Sequence, residues 1–359
     1  MRILLVKMSS LGDVIHALAA VSDAAALVPG IEIDWVVEEA FQEIPAMHPA
    51  VRQVLPIAIR RWREGWWRQR KDIQQTLGKM RATDYDLVID AQGLIKSAIV
   101  SGLARGPVAG LDTASSREPL ASRFYTKAVN VPRDQHAVVR LRQLLALALD
   151  YAVPTTEADF GLGSIGLEKP GLEKSDIRKK SNQPGIPART ILFFHGTTWA
   201  SKHWPVSQWQ ALAQLVAAAG YEVLLPHGNA VELARAEAIA ATCASARVLP
   251  KLSLTALAEC LREVAGVVSV DTGLGHLAAA LAVPMVSLYG PTNPLLTAPY
   301  GRQQSALAST HLPCIPCMRK TCKFAEGDTG GEVYPPCFAP ATTLKVWQTL
   351  LAQMDGSVS

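Results

Sequence analysis

Along most of this 359-residue chain, apolar runs of strand length alternate with stretches of helical length, and that alternation leaves few folds open. The runs are Ile3 to Val6, Ile33 to Val37, Leu87 to Ile89, Ile191 to Phe194, Val223 to Leu225, Val267 to Val270 and Met285 to Leu288. Such a pattern predicts parallel sheets with helices on both faces. From Leu167 to Ala188 it is interrupted by a charged stretch punctuated with Pro and Gly, which reads as an interdomain linker. The predicted architecture is α/β, with two Rossmann-like domains facing a central cleft. Residues 1–166 form the first domain, 167–188 the linker and 189–341 the second domain. A helical tail over 342–359 is expected to pack back on the first domain.

Composition narrows the function classes. A content of 49% hydrophobic and 18% charged residues is that of a globular protein, and the formal charge of +4 suits an acidic ligand without indicating nucleic acid. No apolar run approaches the ~18–20 residues of a membrane span. The opening Met1-Arg-Ile-Leu-Leu-Val-Lys7 is too short in its apolar part for a signal peptide and reads as a first strand, so the expected location is cytoplasmic.

Two loops carry the chemistry. Lys7-Met-Ser-Ser-Leu-Gly-Asp13 and Asp271-Thr-Gly-Leu-Gly-His276 each follow a strand and open an Ala-rich helix, the arrangement whose free amides bind anions. Asp13 is either a cap for a helix beginning at Val14 or a general base for an acceptor hydroxyl. The second loop also fits a dinucleotide fingerprint, but the acidic residue expected ~20 positions on is missing. The next acidic residue is Glu326, which argues against a nicotinamide enzyme. Between these loops lies His195-Gly-Thr-Thr-Trp-Ala-Ser-Lys-His-Trp-Pro205, where Thr197, Thr198 and Lys202 suit a diphosphate if they are more than a solvated polar loop. Glu232 could accept from ribose hydroxyls or simply favour a helix start. Asp84-Tyr-Asp86 resembles a D-x-D metal site but precedes its strand, so it reads as a turn.

Two further segments are distinctive. Residues 59–71 hold six basic residues and three tryptophans, a mixture suited to anionic lipid headgroups, to single-stranded nucleic acid or to a solvated helix face. Cys314, Cys317, Cys322 and Cys337 crowd one loop, as a structural zinc site, a reversible disulfide pair or free thiols. Cys243 and Cys260 read as core fillers.

With these motifs in view, the chain resembles the lipopolysaccharide heptosyltransferases of the inverting GT-B class, in particular those that add the first heptose. The likeness runs through Lys7-x-Ser-Ser-x-Gly-Asp13, Asp34-Trp-Val-Val-Glu-Glu39, Ala58-Ile-Arg-Arg-Trp-Arg63 and Ile89-Asp-Ala-Gln-Gly-Leu94 with Lys96-Ser97. It continues in Arg117-Glu-Pro-Leu-Ala-Ser122, Gln135-His136-Ala137, Lys202-His-Trp-Pro205, Leu249-Pro-Lys251, Val270-Asp-Thr-Gly-Leu274 and Tyr289-Gly-Pro-Thr292. The resemblance implies transfer of L-glycero-D-manno-heptose from ADP-heptose to the first Kdo of Kdo2-lipid A. It also implies an enzyme that needs no catalytic metal, at the cytoplasmic face of the inner membrane of a Gram-negative bacterium; a monomer is expected. Asp13 is then the expected base. Thr197, Thr198, Lys202, Glu232, Asp271, Thr272, Gly273 and His276 would surround the donor. Ser10, Arg60, Arg61, Arg63, Gln92, Lys96, Arg117 and Gln135 would face the acceptor. The four-cysteine loop departs from the first-heptose pattern and is closer to relatives that add the second heptose, which stays an alternative. A non-catalytic anionic-lipid-binding protein is the rival from another class.

Overall fold

The computed structural model describes residues 1–65, 67–163, 186–324, 326–327 and 333–356. The predicted linker lies outside the described residues as far as position 185. The chain divides into two compact units, Met1–Lys169 and Pro170–Ser359.

In the first unit, strands β1 (Arg2–Val6), β2 (Glu32–Glu38), β3 (Val51–Ile57), β4 (Leu87–Asp90), β5 (Val108–Leu111) and β6 (Lys127–Val129) form one sheet in the order β3-β2-β1-β4-β5-β6. Every pairing is parallel. The second unit repeats the plan with β7 (Thr190–Phe194), β8 (Glu222–Leu225), β9 (Ala246–Val248), β10 (Gly266–Val270), β11 (Met285–Tyr289) and β12 (Gln304–Ala308). Its order is β12-β11-β10-β7-β8-β9, again wholly parallel. In each sheet the chain runs outward from a central strand and returns on that strand's other side. This places a switch point between β1 and β4 and another between β7 and β10, where the loops diverge and leave a crevice at the strands' carboxyl ends.

The central strands form because they are apolar on both faces. Ile3, Leu4, Leu5 and Val6 are fully buried, as are Ile191, Leu192 and Phe193. Burial of each such side chain contributes about 1.5–3 kcal/mol. Helix Leu11–Leu27 packs its Ala-rich length against helix Ala137–Leu149. All seven predicted strands are present. The unpredicted ones are shorter, polar or at edges, as with β9 and β12, whose residues stay largely half-buried. One expectation is corrected. The C-terminal helix Thr343–Met354 packs on the second unit's own sheet, with Val346, Trp347 and Leu350 in that core and Trp347 ring-to-ring with Tyr221 at 5.6 Å. Its one apolar face is therefore used within the unit from which it emerges.

Candidate active site

In the first unit the helix after β1 begins at Leu11, not Val14, and Ser10 sits at its N-cap. Asp13 thus lies in the first turn, and its Oδ2 accepts from the Ser10 amide at 2.9 Å and the Ser10 hydroxyl at 2.7 Å. Its other oxygen, Oδ1, lies 3.6 Å from the ammonium of Lys7, a residue with only 6% of its surface exposed. Asp13 is therefore the N3 partner of a capping box with Ser10 and not the cap itself. One oxygen ties the turn, and the side chain keeps 45% of its surface open to solvent. Burial acts to raise the Asp13 pKa, but Lys7, the Ser10 hydroxyl and amide, and His16 outweigh it and hold the carboxyl at about 2. Asp13 is an anion throughout the physiological range.

The loop after β4 supports this turn. Gln92 Oε1 accepts from the amides of Met8 and Ser9 at 2.8 and 3.2 Å, and its Nε2 donates to the Ser9 carbonyl at 2.5 Å. Gln92 is thus committed to holding the two switch-point loops together. Asp90, fully buried, receives Tyr125 and Ser97 hydroxyls at 2.8 Å and the amides of Gln92 and Gly93 at 2.8 and 3.2 Å. Gly93 follows with φ +67°, which favours glycine. The Trp35 indole fixes Lys7 through its carbonyl at 3.0 Å.

The other expected acceptor residues divide into two groups. Arg60 and Lys96 are exposed and lie near buried Glu38, whose carboxyl burial pushes up while Arg60 and Lys96 pull it down. Arg117 and Arg63 are exposed, and Gln135 keeps a buried Oε1 with no hydrogen-bond partner among the described residues. Arg61 is different: it bonds Glu39, Gln69 and Asp72 at 3.1, 2.6 and 2.9 Å, and the Trp62 indole donates to the same Asp72 at 2.8 Å. Arg61 and Trp62 are therefore tied back onto the unit's own side chains. Asp84-Tyr-Asp86 is a turn: Asp86 accepts the Arg2 amide at 2.6 Å and Tyr85 donates to Asp34 at 3.0 Å.

In the second unit, the loops after β7, β10 and β11 meet at Asp271. Its Oδ2 lies 2.6 Å from Lys202 Nζ and accepts the Thr292 hydroxyl, while its backbone carbonyl accepts the Thr197 hydroxyl at 3.0 Å. Lys202 Nζ also lies 4.6 Å from the centre of the Trp199 ring. Thr272 caps helix Gly273–Ala280, whose first amides point out of the β10 end, and His276 is buried one turn further on. Thr198 is exposed. Glu232 Oε2 accepts the Gly228 amide at 2.7 Å. Gly196 permits this approach, since a Cβ there would lie 2.8 Å from Glu232 Cγ. A lysine, hydroxyls and helix amides at a sheet's carboxyl edge can hold a diphosphate and stabilise charge gathering on it.

Sequence reasoning gave no role to Lys7, Asp90, Thr292 or His195. All four stood inside segments already singled out, which was the available signal. His195 is wholly buried, and burial together with Arg235 pushes its imidazole down to about 4.

The cysteine loop is tied to the turn that carries Lys202. Ser201 donates its amide to Lys320 and its hydroxyl to Arg319, at 3.1 and 2.5 Å, tying that loop to Lys202's turn. Cys314, Cys317, Cys322 and Cys337 are free thiols lining a cavity of about 440 Å³. Burial, with the neighbouring thiols, pushes Cys337 up to about 12. Among the described residues no group of three or more His, Cys, Asp or Glu is placed to hold a metal ion, so the zinc alternative is not supported. Cys243 and Cys260 are buried core residues, as expected.

Residues 73–327 match the profile of glycosyltransferase family 9 (heptosyltransferase). Lipopolysaccharide heptosyltransferase 1 of Pseudomonas aeruginosa is 49% identical over 99% of this chain and 98% of its own length. Among solved structures, E. coli heptosyltransferase WaaC with ADP matches at 39% identity and a TM-score of 0.83, covering 98% of this chain and all of that one. The same enzyme with ADP-2-deoxy-2-fluoro heptose matches at 38% identity and a TM-score of 0.81, covering 98% of this chain and 99% of that one. The two parallel six-stranded sheets are the GT-B arrangement. The chain belongs to glycosyltransferase family 9, the heptosyltransferases.

Proposed function

We propose that this chain moves L-glycero-D-manno-heptose from ADP-heptose to the first Kdo of Kdo2-lipid A in lipopolysaccharide core synthesis. What carries the reading is that the likeness to an enzyme named for the first heptose spans both units. The carboxylate turn at Asp13 and the lysine–threonine loop at Lys202 therefore occur in one chain. The first unit would take the acceptor and the second the donor.

The chemistry follows from the side chains. The acceptor hydroxyl oxygen forms a bond to the anomeric carbon as the bond to the ADP phosphate breaks, through an oxocarbenium-like state. A carboxylate held at about 2 is a weak base toward a free hydroxyl. It suffices once that oxygen has begun to bond to carbon, because the proton is then strongly acidic, and Asp13 takes it late in the step. Attack from the face opposite the leaving group inverts the anomeric centre. ADP departs as an anion, stabilised by Lys202, the Thr197 and Thr198 hydroxyls and the amides at Thr272 and Gly273. Such donors supply the positive charge that a catalytic metal would otherwise provide. Glu232 suits the ribose hydroxyls. Arg60, Arg63, Lys96 and Arg117 suit an acceptor rich in carboxylate and phosphate. A lipid-borne acceptor puts the work at the cytoplasmic face of the inner membrane.

The test is acceptor choice. Purified protein with ADP-heptose should release ADP on Kdo2-lipid A and stay near background on the same acceptor already bearing its first heptose. The reverse preference would move the assignment to the second heptose, and silence on both from folded protein would reject heptosyl transfer.

A further inference from the structure

Helix Ile95–Gly102 and the short 3-10 helix Pro119–Phe124 pack on each other at the carboxyl end of the first sheet. They are joined by the Ile95 amide donating to Glu118 at 2.7 Å and the Glu118 amide donating to the Gly93 carbonyl at 3.2 Å. Their inner faces bury Ser97, Ala98, Ser101 and Ala121. Their outer faces are unexpectedly apolar: Ile99 is 50% exposed, Leu120 56% and Phe124 50%. Single exposed apolar residues are ordinary, but three bulky ones on two adjoining elements form a patch of the kind that marks an interaction surface. Cations accompany them. Lys96 lies three residues before Ile99 on one helix face, Arg123 lies three after Leu120 on the other, and Arg117 precedes the second element. All three are exposed, none makes a salt bridge among the described residues, and Glu118 is the one carboxylate on these elements.

We infer that this face docks on an anionic phospholipid bilayer, with Ile99, Leu120 and Phe124 entering the interface and Arg123, with Lys96 and Arg117, meeting lipid phosphates. Apolar side chains ringed by arginine and lysine match the two layers of a membrane surface, headgroup charge outside and hydrocarbon within. Continuity with the catalytic face supports this occupant, since Lys96 and Arg117 belong to both. An acceptor carried by a lipid would then arrive from the surface on which the unit rests. The inference rests on the proposed lipid-linked acceptor. It adds a second surface to the Arg/Trp segment, in which Arg61 and Trp62 are committed to Asp72.

The test is co-sedimentation of the full chain with acceptor-free vesicles of phosphatidylethanolamine and phosphatidylglycerol, and with neutral phosphatidylcholine vesicles. Alongside it, ADP release is measured on a delipidated, water-soluble Kdo acceptor. The wild type should bind the anionic vesicles, less at high salt, and the neutral ones weakly. The triple variant Ile99→Ser, Leu120→Ser, Phe124→Ser should lose binding by about tenfold or more, because the apolar side chains that would enter the interface are removed. Turnover on the soluble acceptor should be unchanged, which shows the variant folded and keeps the activity assignment separate. Arg123→Glu should weaken anionic binding alone. Equal vesicle binding by wild type and triple variant would overturn the inference. So would a wild type that ignores vesicles or self-associates through this face, losing its dimer in the variant.

Discussion

His195 lies at the start of the loop that carries Lys202, fully buried at the end of β7, with its ring 6.5 Å from that of Trp209. Burial first, and then Arg235, lowers its imidazole from 6.5 to about 4, so the folded protein keeps it neutral where the unfolded chain would protonate it. The sign is that of a depressed folded-state pKa in a base. Stability is full above pH 6.5 and is lost as the pH falls toward 4, because the unfolded state takes up the proton first. With those two values, the loss between pH 7.5 and pH 5 from this one group is about 2 kcal/mol. The perturbation is His195→Leu, which removes the titrating group. It changes stability by a pH-independent offset as well, so the slope is the quantity to read. Guanidinium denaturation followed by tryptophan fluorescence at pH 7.5 and pH 5 should show wild type losing about 2 kcal/mol more than the variant over that interval. Carboxylates titrating elsewhere cancel in the difference. Equal losses in the two proteins would refute the reasoning.

The remaining predictions concern the loops proposed to hold the donor. Lys202→Ala should lower kcat/KM by about a hundredfold or more and destabilise the second unit by about 3–5 kcal/mol, because Asp271, 9% exposed, loses its ammonium partner. Adding Asp271→Asn should restore much of the stability and none of the activity, read by thermal denaturation and ADP release. Gly196→Ala should push Glu232 from its place beside the loop, 2.8 Å from the added Cβ, and weaken ADP binding by about tenfold in calorimetry. An unchanged Kd would separate Glu232 from the nucleotide.

The legible part of the fold was the part that is apolar on both faces. Ile3 to Val6 and Val267 to Val270 declare themselves because a central parallel strand has no solvent side. Strands β3 and β12 do not: the one carries Arg52, Gln53 and Pro56, and the other is a half-buried edge. The terminal helix was recognised but misassigned, since an amphipathic pattern reveals a buried face and not its partner. The site followed the same rule. Asp13 with Ser10 is an i, i+3 relation and could be read locally. Gln92 reaches the Ser9 turn from 83 residues away, and only the β1–β4 pairing brings it there. Arg61 looked like a ligand for anions because its carboxylate partners, Glu39 and Asp72, lie 22 and 11 residues distant. Cysteine spacing suggested chelation, yet spacing says nothing of where the thiols point.

The most direct measurement compares wild type with Asp13→Asn for ADP release from ADP-heptose on Kdo2-lipid A, with EDTA present. The variant keeps the side chain's shape and loses its capacity to take a proton. The account predicts robust wild-type turnover, a kcat lower by about 10²–10⁴-fold in the variant, and donor KM within about twofold. Variant turnover within about tenfold of wild type would contradict Asp13 as the base, and wild-type turnover abolished by EDTA would contradict a metal-independent transfer.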